Sequence, residues 1–378
     1  MKDIYISSDN ILSPIGSTAA ENFEQLLKLV SGIKKHENTS MSEQPFYASL
    51  FNGNENFMDN NSEGSYTKFE QLLIASINDA LKNSKVQPGD KKTVLIISST
   101  KGNISLLETA AADPSLKQRI ALHHSAKLVS EYFQFANQPV VISNACISGL
   151  LAIITGMRMI RSGQYEHAVI AGADVISKFV LSGFQSFQAI SSGPCKPFDE
   201  TRDGINLGEG AATIILSSNA AFSQGVKIVS GSVSNDANHI SGPSRTGEEL
   251  CQAIQKAMND AGLSPKDIDL ISAHGTATVY NDEMEAKAIT MAGLESVPVN
   301  SLKGYYGHTL GAAGLIESIV SIHSLRKNLV LPTAGFKQPG VTKPLNVSNS
   351  LQRIELKNCL KTASGFGGCN AAIIISKP

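Results

Sequence analysis

The sequence predicts an α/β protein built from two halves of similar plan in a five-layer arrangement. Three observations support this fold class: apolar β-branched runs alternate with helical periodicity, the order of elements restarts near residue 226, and each half contains an apolar helix introduced by a reactive residue. That residue is Cys146 in the first half and His308 in the second. We therefore divide the chain into residues 1–217 and 218–378, and expect the two helix starts to meet at the centre.

Elements of the first half follow from local patterns. Short apolar runs bounded by turn residues indicate strands, and apolar residues spaced three or four apart indicate helices. The polar, Asn- and Ser-rich stretch 36–65 indicates a surface excursion. We predict strands at 4–7, 93–99, 140–142, 165–174 and 211–216, and helices at 19–29, 68–81, 124–135 and from about 147 onward.

The second half repeats this alternation, which predicts a parallel-type sheet with helical crossovers. We predict strands at 226–234, 268–273, 297–301 and 370–376, and helices at 248–261, 282–292 and 311–327.

Composition is that of an ordinary globular protein and excludes several classes of function. The chain has 378 residues, of which 42% are hydrophobic and 17% charged, and its formal net charge is -1. Because no run of like charges occurs, neither a nucleic-acid-binding surface nor a polybasic membrane signal is indicated. The N-terminal residues enter a strand directly, and no run of about 20 apolar residues exists. We expect a cytoplasmic protein that binds neither nucleic acid nor membrane.

The number and spacing of the cysteines also favour a cytoplasmic protein. The five cysteines are odd in number, widely spaced and without a Cys-x-x-Cys pair, which argues against a disulfide framework or a zinc site. They stand at positions 146, 195, 251, 359 and 369. We expect a reducing compartment, no metal and no cofactor.

Cys146 is a candidate nucleophile because the pattern places it at the start of a helix. The segment 140–157 indicates a buried strand, a tight turn and an apolar helix, and the free N–H groups at a helix start favour a thiolate. Most free cysteines are inert packing, so the residue alone identifies no reaction. Small polar neighbours such as Asn144 and Ser148 leave room for a substrate to approach.

Two histidines also stand in unusual surroundings. His274 follows a predicted strand within Ala-His-Gly-Thr-Ala-Thr at 273–278, and His308 precedes a helix within the block 303–314. Single histidines at such places are often structural, but their combination with a cysteine at a helix start indicates a catalytic site.

Five ordered motifs, at 144–149, 197–211, 274–278, 303–314 and 365–368, closely resemble those of the elongating β-ketoacyl-acyl-carrier-protein synthases. The resemblance covers nearly the whole chain and is weakest before residue 90. It implies the thiolase-like αβαβα fold, a homodimer, and acyl carrier protein as partner. The implied reaction is a decarboxylative Claisen condensation of a cysteine-bound acyl group with malonyl-acyl carrier protein, in fatty acid or specialised polyketide or polyene synthesis.

The resemblance also assigns roles to individual residues. Cys146 would carry the acyl chain, and the N–H groups of Cys146 and Phe366 would form the oxyanion hole. His274 and His308 would hold the malonyl thioester carbonyl as the enolate develops. Lys303 corresponds to a buried lysine of the family, and we expect Glu285 as its partner, with Asp282 nearby.

Substrate-binding roles follow from the same motifs. Thr276 and Thr278 would bind the phosphopantetheine arm, Phe366 would gate the acyl pocket, and Phe184 would line it. The family has an aromatic residue where this chain has Ser364, which predicts a looser gate that admits a bulky or stiff chain. Asn144 also departs from the family, which usually has threonine there.

Three alternatives stay open at this point. A chain-length-factor-like subunit of a heterodimeric synthase has this fold without catalysis, although such subunits normally lose the cysteine. A degradative thiolase would use a second cysteine, for which Cys369 is the candidate. The glycines at 365–368 could cradle a phosphate, but a strand rather than a helix follows them.

For carrier docking, Lys68 and Lys196 are the candidate cations.

Overall fold

The computed structural model describes residues 2–53, 55, 57–58, 66–109, 115–237 and 242–377. The strands are β1 (Tyr5–Leu12), β2 (Lys34–His36), β3 (Phe46–Ser49), β4 (Thr93–Ser98), β5 (Val140–Ile142), β6 (His167–Asp174), β7 (Leu207–Gly208), β8 (Gly210–Ser217), β9 (Lys227–Asn235), β10 (Leu270–Ser272), β11 (Val299–Asn300), β12 (Leu329–Val330), β13 (Gln352–Arg353), β14 (Asn358–Gly365) and β15 (Cys369–Ser376). The helices are α1 (Ala19–Leu27), α2 (Lys68–Lys82), α3 (Leu106–Thr109), α4 (Leu116–Arg119), α5 (Leu122–Tyr132), α6 (Ser148–Arg161), α7 (Lys178–Ser186), α8 (Glu248–Ala261), α9 (Val279–Met291), α10 (Lys303–Tyr306) and α11 (Ala313–Lys327).

Two equivalent sets of strands make up the main sheet. In the described ranges it has ten strands in the order β11-β10-β14-β15-β9-β1-β8-β6-β4-β5, and the two sets join where Tyr5 pairs with Lys227. Read outward from this join, β1, β8, β6, β4 and β5 in one direction correspond to β9, β15, β14, β10 and β11 in the other. The duplication is therefore confirmed. The boundary at residue 217 stays a prediction, although β8 does end at Ser217.

The sheet is mixed, so the prediction of a parallel-type sheet was wrong in part. Helical segments link β4, β5 and β6, which pair in parallel, and also β10, β11 and β14, which pair in parallel. By contrast, β8 runs antiparallel to β1 and β6, and β15 runs antiparallel to β9 and β14. The strands β14 and β15 form a hairpin, whereas β8 returns antiparallel to β6 although α7 lies between them in the chain.

Alternate residues of the strands face different layers. Ile214 packs in the central apolar cluster with α6 and α11, whereas Ile215 packs against α2 on the outer side. In the other half Ile373 joins the central cluster, and Ile374 packs with α8 and α9. Because a strand presents successive side chains to opposite faces, each half contributes one outer helical layer and shares the central one.

The starts of the two central helices touch, as the sequence predicted. A Cβ atom built on Gly149 in α6 would lie 2.8 Å from the carbonyl oxygen of Gly311 and 2.9 Å from the nitrogen of Leu315. A Cβ on Gly314 in α11 would lie 2.6 Å from the nitrogen of Leu150. Only glycine permits this backbone approach, which brings Cys146 and His308 to the same place.

Two other expectations need correction. The strand β5 was expected to be buried, but Val140, Val141 and Ile142 are each only partly buried, because β5 is the last strand of the sheet. The predicted surface excursion at 36–65 contains the buried strand β3, which pairs with Leu207 and Gly208; residues 54, 56 and 59–65 lie outside the described residues.

The described helices give no sign of a membrane span, since none of them is both long enough and apolar enough to cross a bilayer. The cytoplasmic location stays a prediction.

Candidate active site

Cys146 stands in a tight turn between β5 and α6. The helix begins at Ser148 after the N-cap residue Ile147, so the cysteine stands at the helix start, two positions before the first helical residue. The turn is held by Ser148, whose hydroxyl accepts from the Asn144 N–H at 2.8 Å and donates to the Ala145 carbonyl at 2.6 Å. Ala145 has a φ of 45°, a strained conformation for a residue with a side chain. In this turn Cys146 lines a cavity.

Three reactive side chains from separate elements converge at one point. The sulfur of Cys146 and nitrogens of His274 and His308 all lie within 4.8 Å of one another, and all three residues are buried. The two imidazole rings are 5.1 Å apart at an interplanar angle of 81°. A Cys and two His are donors that Zn²⁺ accepts, but the same set suits thiol acylation with two adjacent N–H donors.

The tautomer of His308 follows from its local hydrogen bond. The backbone N–H of Leu310 donates to Nδ1 of His308 at 3.3 Å, so Nδ1 is an acceptor and the proton resides on Nε2. Among the described residues Nε2 has no hydrogen-bond partner, although it is buried. His308 therefore directs an unused N–H donor into the site.

Both histidines are uncharged at neutral pH. Burial, reinforced by the positive charge of Lys303, holds the pKa of His274 well below its ordinary value and does the same for His308. For His274, Nδ1 is also without a hydrogen-bond partner among the described residues. The pair therefore offers neutral imidazoles whose hydrogen-bonding capacity is not used up by the protein.

The environment of the Cys146 thiol differs from the expected one. Burial, assisted by the nearby Cys369, raises the pKa of Cys146 to about 12, whereas the position before a helix was expected to lower it. Only 8% of the residue is exposed, so loss of solvation outweighs the helix field. The backbone N–H of Phe366, close to the sulfur, opposes this effect because it favours the anion. A donor at this place can also serve the oxygen of a thioester formed on the sulfur, where an oxyanion develops.

A cavity of 310 Å³ opens onto the three reactive residues. Phe366 lies at this cavity on the loop between β14 and β15, and the residue is 40% exposed. It stacks on Phe184 with ring centroids 5.8 Å apart and meets the edge of Phe187 at 5.4 Å. Phe184 and Phe366 thus both border the cavity, and their roles in lining and gating an acyl pocket stay predictions.

Gly365 lets the Phe366 loop reach the nucleophile. A Cβ atom at this position would lie 2.9 Å from the backbone nitrogen of Cys146 and 3.0 Å from the sulfur of Cys369. Any side chain would therefore push the loop away from the site.

The remaining predicted substrate-binding residues also line this cavity. Thr276 and Thr278 share a hydrogen bond between their hydroxyls at 2.9 Å, and Thr278 also caps α9 by accepting from the Asn281 N–H. Ser364 is buried, and its hydroxyl donates to Oδ1 of Asn370 at 2.7 Å. Cys369 faces the carbonyl of Phe366 at 3.4 Å, and it is not among the three residues that converge on the cavity.

The prediction that Lys303 pairs with Glu285 was wrong. Lys303 forms a buried ion pair with Glu317 of α11, and its Nζ also donates to the carbonyl of His274 at 3.0 Å. Glu285 instead accepts from the backbone N–H of His274 at 2.8 Å and of Gly275 at 2.5 Å. Lys303 and Glu285 therefore both hold the His274 backbone. Lys303 binds its carbonyl group, and Glu285 binds its N–H group.

Asp282, expected near Lys303, serves the same segment. It accepts from the N–H groups of Thr276 at 2.9 Å, Ala277 at 3.2 Å and Phe198 at 2.7 Å. Burial raises the pKa of Asp282 to about 7, even with Arg202 3.9 Å away. Through the Phe198 N–H, the motif at 197–204 thus helps to hold Asp282 and the backbone that follows His274. It does not line the cavity.

Sequence reasoning missed three buried charged residues. Glu317 and Lys361 form an ion pair at 2.8 Å behind the histidines, and Asp174 accepts from Ser99 at 2.7 Å and from the Gly311 N–H at 2.6 Å. The available signal was a charged residue inside an otherwise apolar helix or strand, which requires a buried partner. The sequence therefore indicates that each of these residues needs a buried partner, but it does not identify that partner.

The cations proposed for carrier docking are engaged locally. Lys68 forms an ion pair with Glu209 at 2.7 Å, and Lys196 donates to Thr201 at 3.0 Å. Because the charge of Lys68 is already compensated, it is a weak attractor for an acidic protein.

Two models of one protein family match the chain in succession. Residues 1–221 match the model described as beta-ketoacyl synthase, N-terminal domain, and residues 226–337 match the one described as beta-ketoacyl synthase, C-terminal domain. The chain is 29% identical to 3-oxoacyl-(acyl-carrier-protein) synthase 2 of Staphylococcus aureus strain N315, in an alignment that covers 100% of this chain and 98% of that protein. It is 30% identical to the enzyme of the same name from Vibrio cholerae, in an alignment that covers 99% of each.

Solved structures give the same fold. A beta-ketoacyl synthase from Burkholderia phymatum superposes with a TM-score of 0.91 at 24% identity, covering 100% of both chains. A ketosynthase from Xenorhabdus doucetiae, solved in complex with its chain length factor, superposes with a TM-score of 0.87 at 25% identity, covering 100% of this chain and 98% of that one. The thiolase-like fold predicted from the motifs is confirmed.

Proposed function

Because this chain belongs to the β-ketoacyl synthase family, we infer that it is an elongating β-ketoacyl-acyl-carrier-protein synthase. It condenses an acyl group with malonyl-acyl carrier protein and releases β-ketoacyl-acyl carrier protein, in fatty acid or polyketide synthesis. The observation that carries this function is the convergence of Cys146, His274 and His308 within 4.8 Å at the end of one cavity. The roles of individual residues below are part of the proposal.

In the first step Cys146 takes the acyl chain. Its sulfur loses a proton and attacks the carbonyl carbon of the acyl thioester, and the pantetheine sulfur leaves as the thiol. The N–H groups of Cys146 and Phe366 stabilise the oxyanion of the tetrahedral intermediate. Support comes from the Phe366 N–H, whose proximity to the sulfur favours the anion. Thr276 and Thr278 bind the pantetheine arm along the cavity wall, and Phe184 borders the acyl chain.

In the second step the histidines act on the malonyl thioester. Carbon dioxide leaves with the carbon–carbon bond electrons remaining on the thioester, which becomes an enolate. His308 Nε2–H and the His274 imidazole donate to the enolate oxygen, where negative charge is greater than in the ground state. The enolate carbon then attacks the acyl carbonyl on Cys146, and the cysteine thiolate is expelled.

A direct assay tests this function. Acyl-acyl carrier protein and malonyl-acyl carrier protein are incubated with the purified protein, and the β-ketoacyl product and acyl-Cys146 are measured by mass spectrometry. We expect product from the wild type, and neither product nor acyl-enzyme from Cys146→Ala. Product formation by Cys146→Ala, or acylation of another cysteine in the wild type, would contradict the proposal.

A non-catalytic chain-length-factor-like role is the second candidate. Such a subunit would shape the acyl pocket of a partner, as suggested by the ketosynthase structure that includes a chain length factor. The intact set of Cys146, His274 and His308 favours catalysis instead. Addition of the purified chain to a related ketosynthase decides between the roles, because a chain-length factor changes product length yet gives no product by itself.

We also propose a homodimer joined through β5. This strand ends the sheet in the part of the chain that the structure describes, and its residues Val140 and Ile142 are only partly buried, so its outer edge can offer backbone groups and apolar side chains to a partner. Pairing with the same strand of a second copy would provide hydrogen-bond partners for the backbone groups and would cover the apolar side chains. Sedimentation at micromolar concentration should give a dimer, and Val141→Pro should weaken it by removing a backbone donor. A wild-type monomer would exclude this assembly. A heterodimer with a related subunit is the alternative, in which that subunit takes the place of the second copy.

A further inference from the structure

Phe187 is an exposed aromatic residue at the mouth of the cavity, and no step of the reaction described above uses it. It caps the C-terminal end of α7, and the residue is 57% exposed. Exposed apolar residues are common when they stand alone. Phe187 does not stand alone, because it lines the cavity and its ring meets that of Phe366 at 5.4 Å with an interplanar angle of 63°.

Phe366 stands between the nucleophile and an apolar part of the cavity. Its backbone N–H is close to the sulfur of Cys146. Its ring stacks on Phe184 at an interplanar angle of 27°, and Phe184, Ala189 and Ile205 are apolar residues of the cavity lining. An acyl chain that is bound to the sulfur and extends toward these residues therefore meets the ring of Phe366.

The segment that carries Phe187 is held on both sides. At the start of α7 the carboxylate of Glu108 accepts from backbone N–H groups of the first turn, including that of Phe179 at 2.7 Å. Beyond the end of the helix the carbonyl of Ala189 accepts from the Ile205 N–H at 2.7 Å. Phe187 thus offers a fixed position against which another ring can rest.

The loop that carries Phe366 is less constrained, because glycine stands on both sides of this residue. Gly367 has a φ of 85°, and a Cβ atom built there would have no heavy atom of the described residues within 4 Å. Its carbonyl accepts from Nδ2 of Asn235 at 2.8 Å, which holds the backbone of the loop. The Phe366 ring forms no hydrogen bond, so its position depends on packing against Phe184 and Phe187.

We propose that Phe187 is a specificity-determining residue: its ring holds the Phe366 ring at the cavity, so that an acyl chain long enough to reach that ring has to displace it. This inference rests on the proposed function, which supplies the acyl chain. A short acyl group on Cys146 leaves the rings in place. A long one breaks the contact between Phe187 and Phe366, and loss of an aromatic pair changes the rate for long chains relative to short ones by about fivefold.

Alkylation of Cys146 tests this contact without the condensation reaction. Iodoacetamide and N-hexyl iodoacetamide carry the same reactive group, so the ratio of their rate constants cancels the acidity of the thiol and reports on entry of the hexyl chain. We expect Phe187→Ala to raise the ratio of the hexyl reagent to the small one about fivefold. Peptide mass spectrometry identifies the labelled cysteine. Because Phe187 is largely exposed, the variant should keep its fold.

Two variants serve as controls. Phe179→Ala truncates a phenylalanine of the same helix that is 56% exposed and is not part of the cavity lining among the described residues. Phe187→Tyr keeps the ring, and its added hydroxyl can face solvent. Both should keep the wild-type ratio. An unchanged or lowered ratio in Phe187→Ala, or a rise in either control as large as the one expected for Phe187→Ala, would overturn the proposal.

A double variant separates action through Phe366 from direct contact with the chain. Phe366→Ala removes the ring but keeps the backbone N–H, and it should raise the ratio by itself. Adding Phe187→Ala to it should cause no further rise, since the contact between the two rings is already absent. If Phe187→Ala raises the ratio equally in both backgrounds, Phe187 acts on the chain directly and the proposal is wrong.

Condensation assays supply the second measurement. The kcat/KM for a long acyl-acyl carrier protein, divided by that for a short one, should rise about fivefold in Phe187→Ala. An unchanged quotient in a protein that does form product would count against the Phe187 contact. If the wild type forms no product, the proposed function fails, and the alkylation ratios still decide whether Phe187 holds the Phe366 ring.

Discussion

The two sides of the active site are held by different forces. On the cysteine side, small residues permit backbones to touch: Gly149 against α11, and Gly365 against the nitrogen of Cys146. On the histidine side, buried lysines and carboxylates bind the backbone of residues 272–277. One side is fixed by close packing and the other by charge.

This difference matches what each side has to do. The sulfur forms and breaks a covalent bond, so it needs a donor close to the developing oxyanion and a dry pocket for the acyl chain. The histidines form no covalent bond but need an exact direction and a neutral charge state. Buried charges hold the backbone of His274, and burial together with the charge of Lys303 keeps both rings neutral. A perturbation of one side should therefore affect one half of the reaction.

The largest expected effect separates the two steps. His308→Ala removes a donor to the enolate oxygen, so condensation should fall by about 10²- to 10³-fold. Acylation of Cys146 should fall far less, because the Phe366 N–H is unaffected. Single-turnover acylation and malonyl decarboxylation, measured on the same preparation, check both statements. A folded His308→Ala protein that is not acylated would show that the two sides are not independent.

An intermediate effect tests the burial of the thiol. Because burial raises the pKa of Cys146 to about 12, the thiolate fraction should increase about tenfold per pH unit throughout the neutral and mildly alkaline range. The rate of Cys146 alkylation by iodoacetamide should rise with the same slope from pH 6 to pH 9. The measurement is a rate profile with Cys146 identified by peptide mass spectrometry. A plateau below pH 8 would mean that the helix start outweighs burial, as the sequence first indicated.

The three residues that converge in the structure could be singled out from the sequence because each stands in a local motif. Cys146, His274 and His308 precede or follow regular elements whose periodicity is visible, and the glycines beside them mark close backbone approach. Their order matched a known family, which gave the fold and the reaction. Local pattern was sufficient wherever the relevant neighbours lie within a few positions in the chain.

Long-range partners could not be predicted in the same way. Nothing local joins Lys303 to Glu317, or Lys361 to the same carboxylate, because these contacts arise when α10, α11 and β14 pack together. The thiol environment depends likewise on the loop that carries Phe366, more than two hundred residues later in the chain. The mixed sheet was missed because β15 follows β14 in a hairpin, and because β8 runs antiparallel to β6 although α7 lies between them.

The smallest expected effect concerns Ser364, which lies where the Phe366 loop leaves β14. It pairs across the hairpin with Asn370, bonds to that side chain at 2.7 Å, and lines the cavity. An aromatic ring here would fill part of the 310 Å³ and restrict the gate, so we expect Ser364→Phe to reduce activity on bulky or conjugated acyl chains about tenfold relative to saturated ones.

Ser364→Phe also breaks the hydrogen bond to Asn370, which alone could loosen the loop. Ser364→Ala removes that bond without adding volume, so the difference between the two variants isolates the ring. The ratio of kcat/KM for conjugated and saturated acyl-carrier substrates is the measurement. Equal ratios in wild type, Ser364→Ala and Ser364→Phe would show that the gate does not select by bulk, and that the serine serves the hairpin alone. A ratio lowered only by phenylalanine would place chain selection on the close-packed cysteine side, apart from the charges that govern condensation.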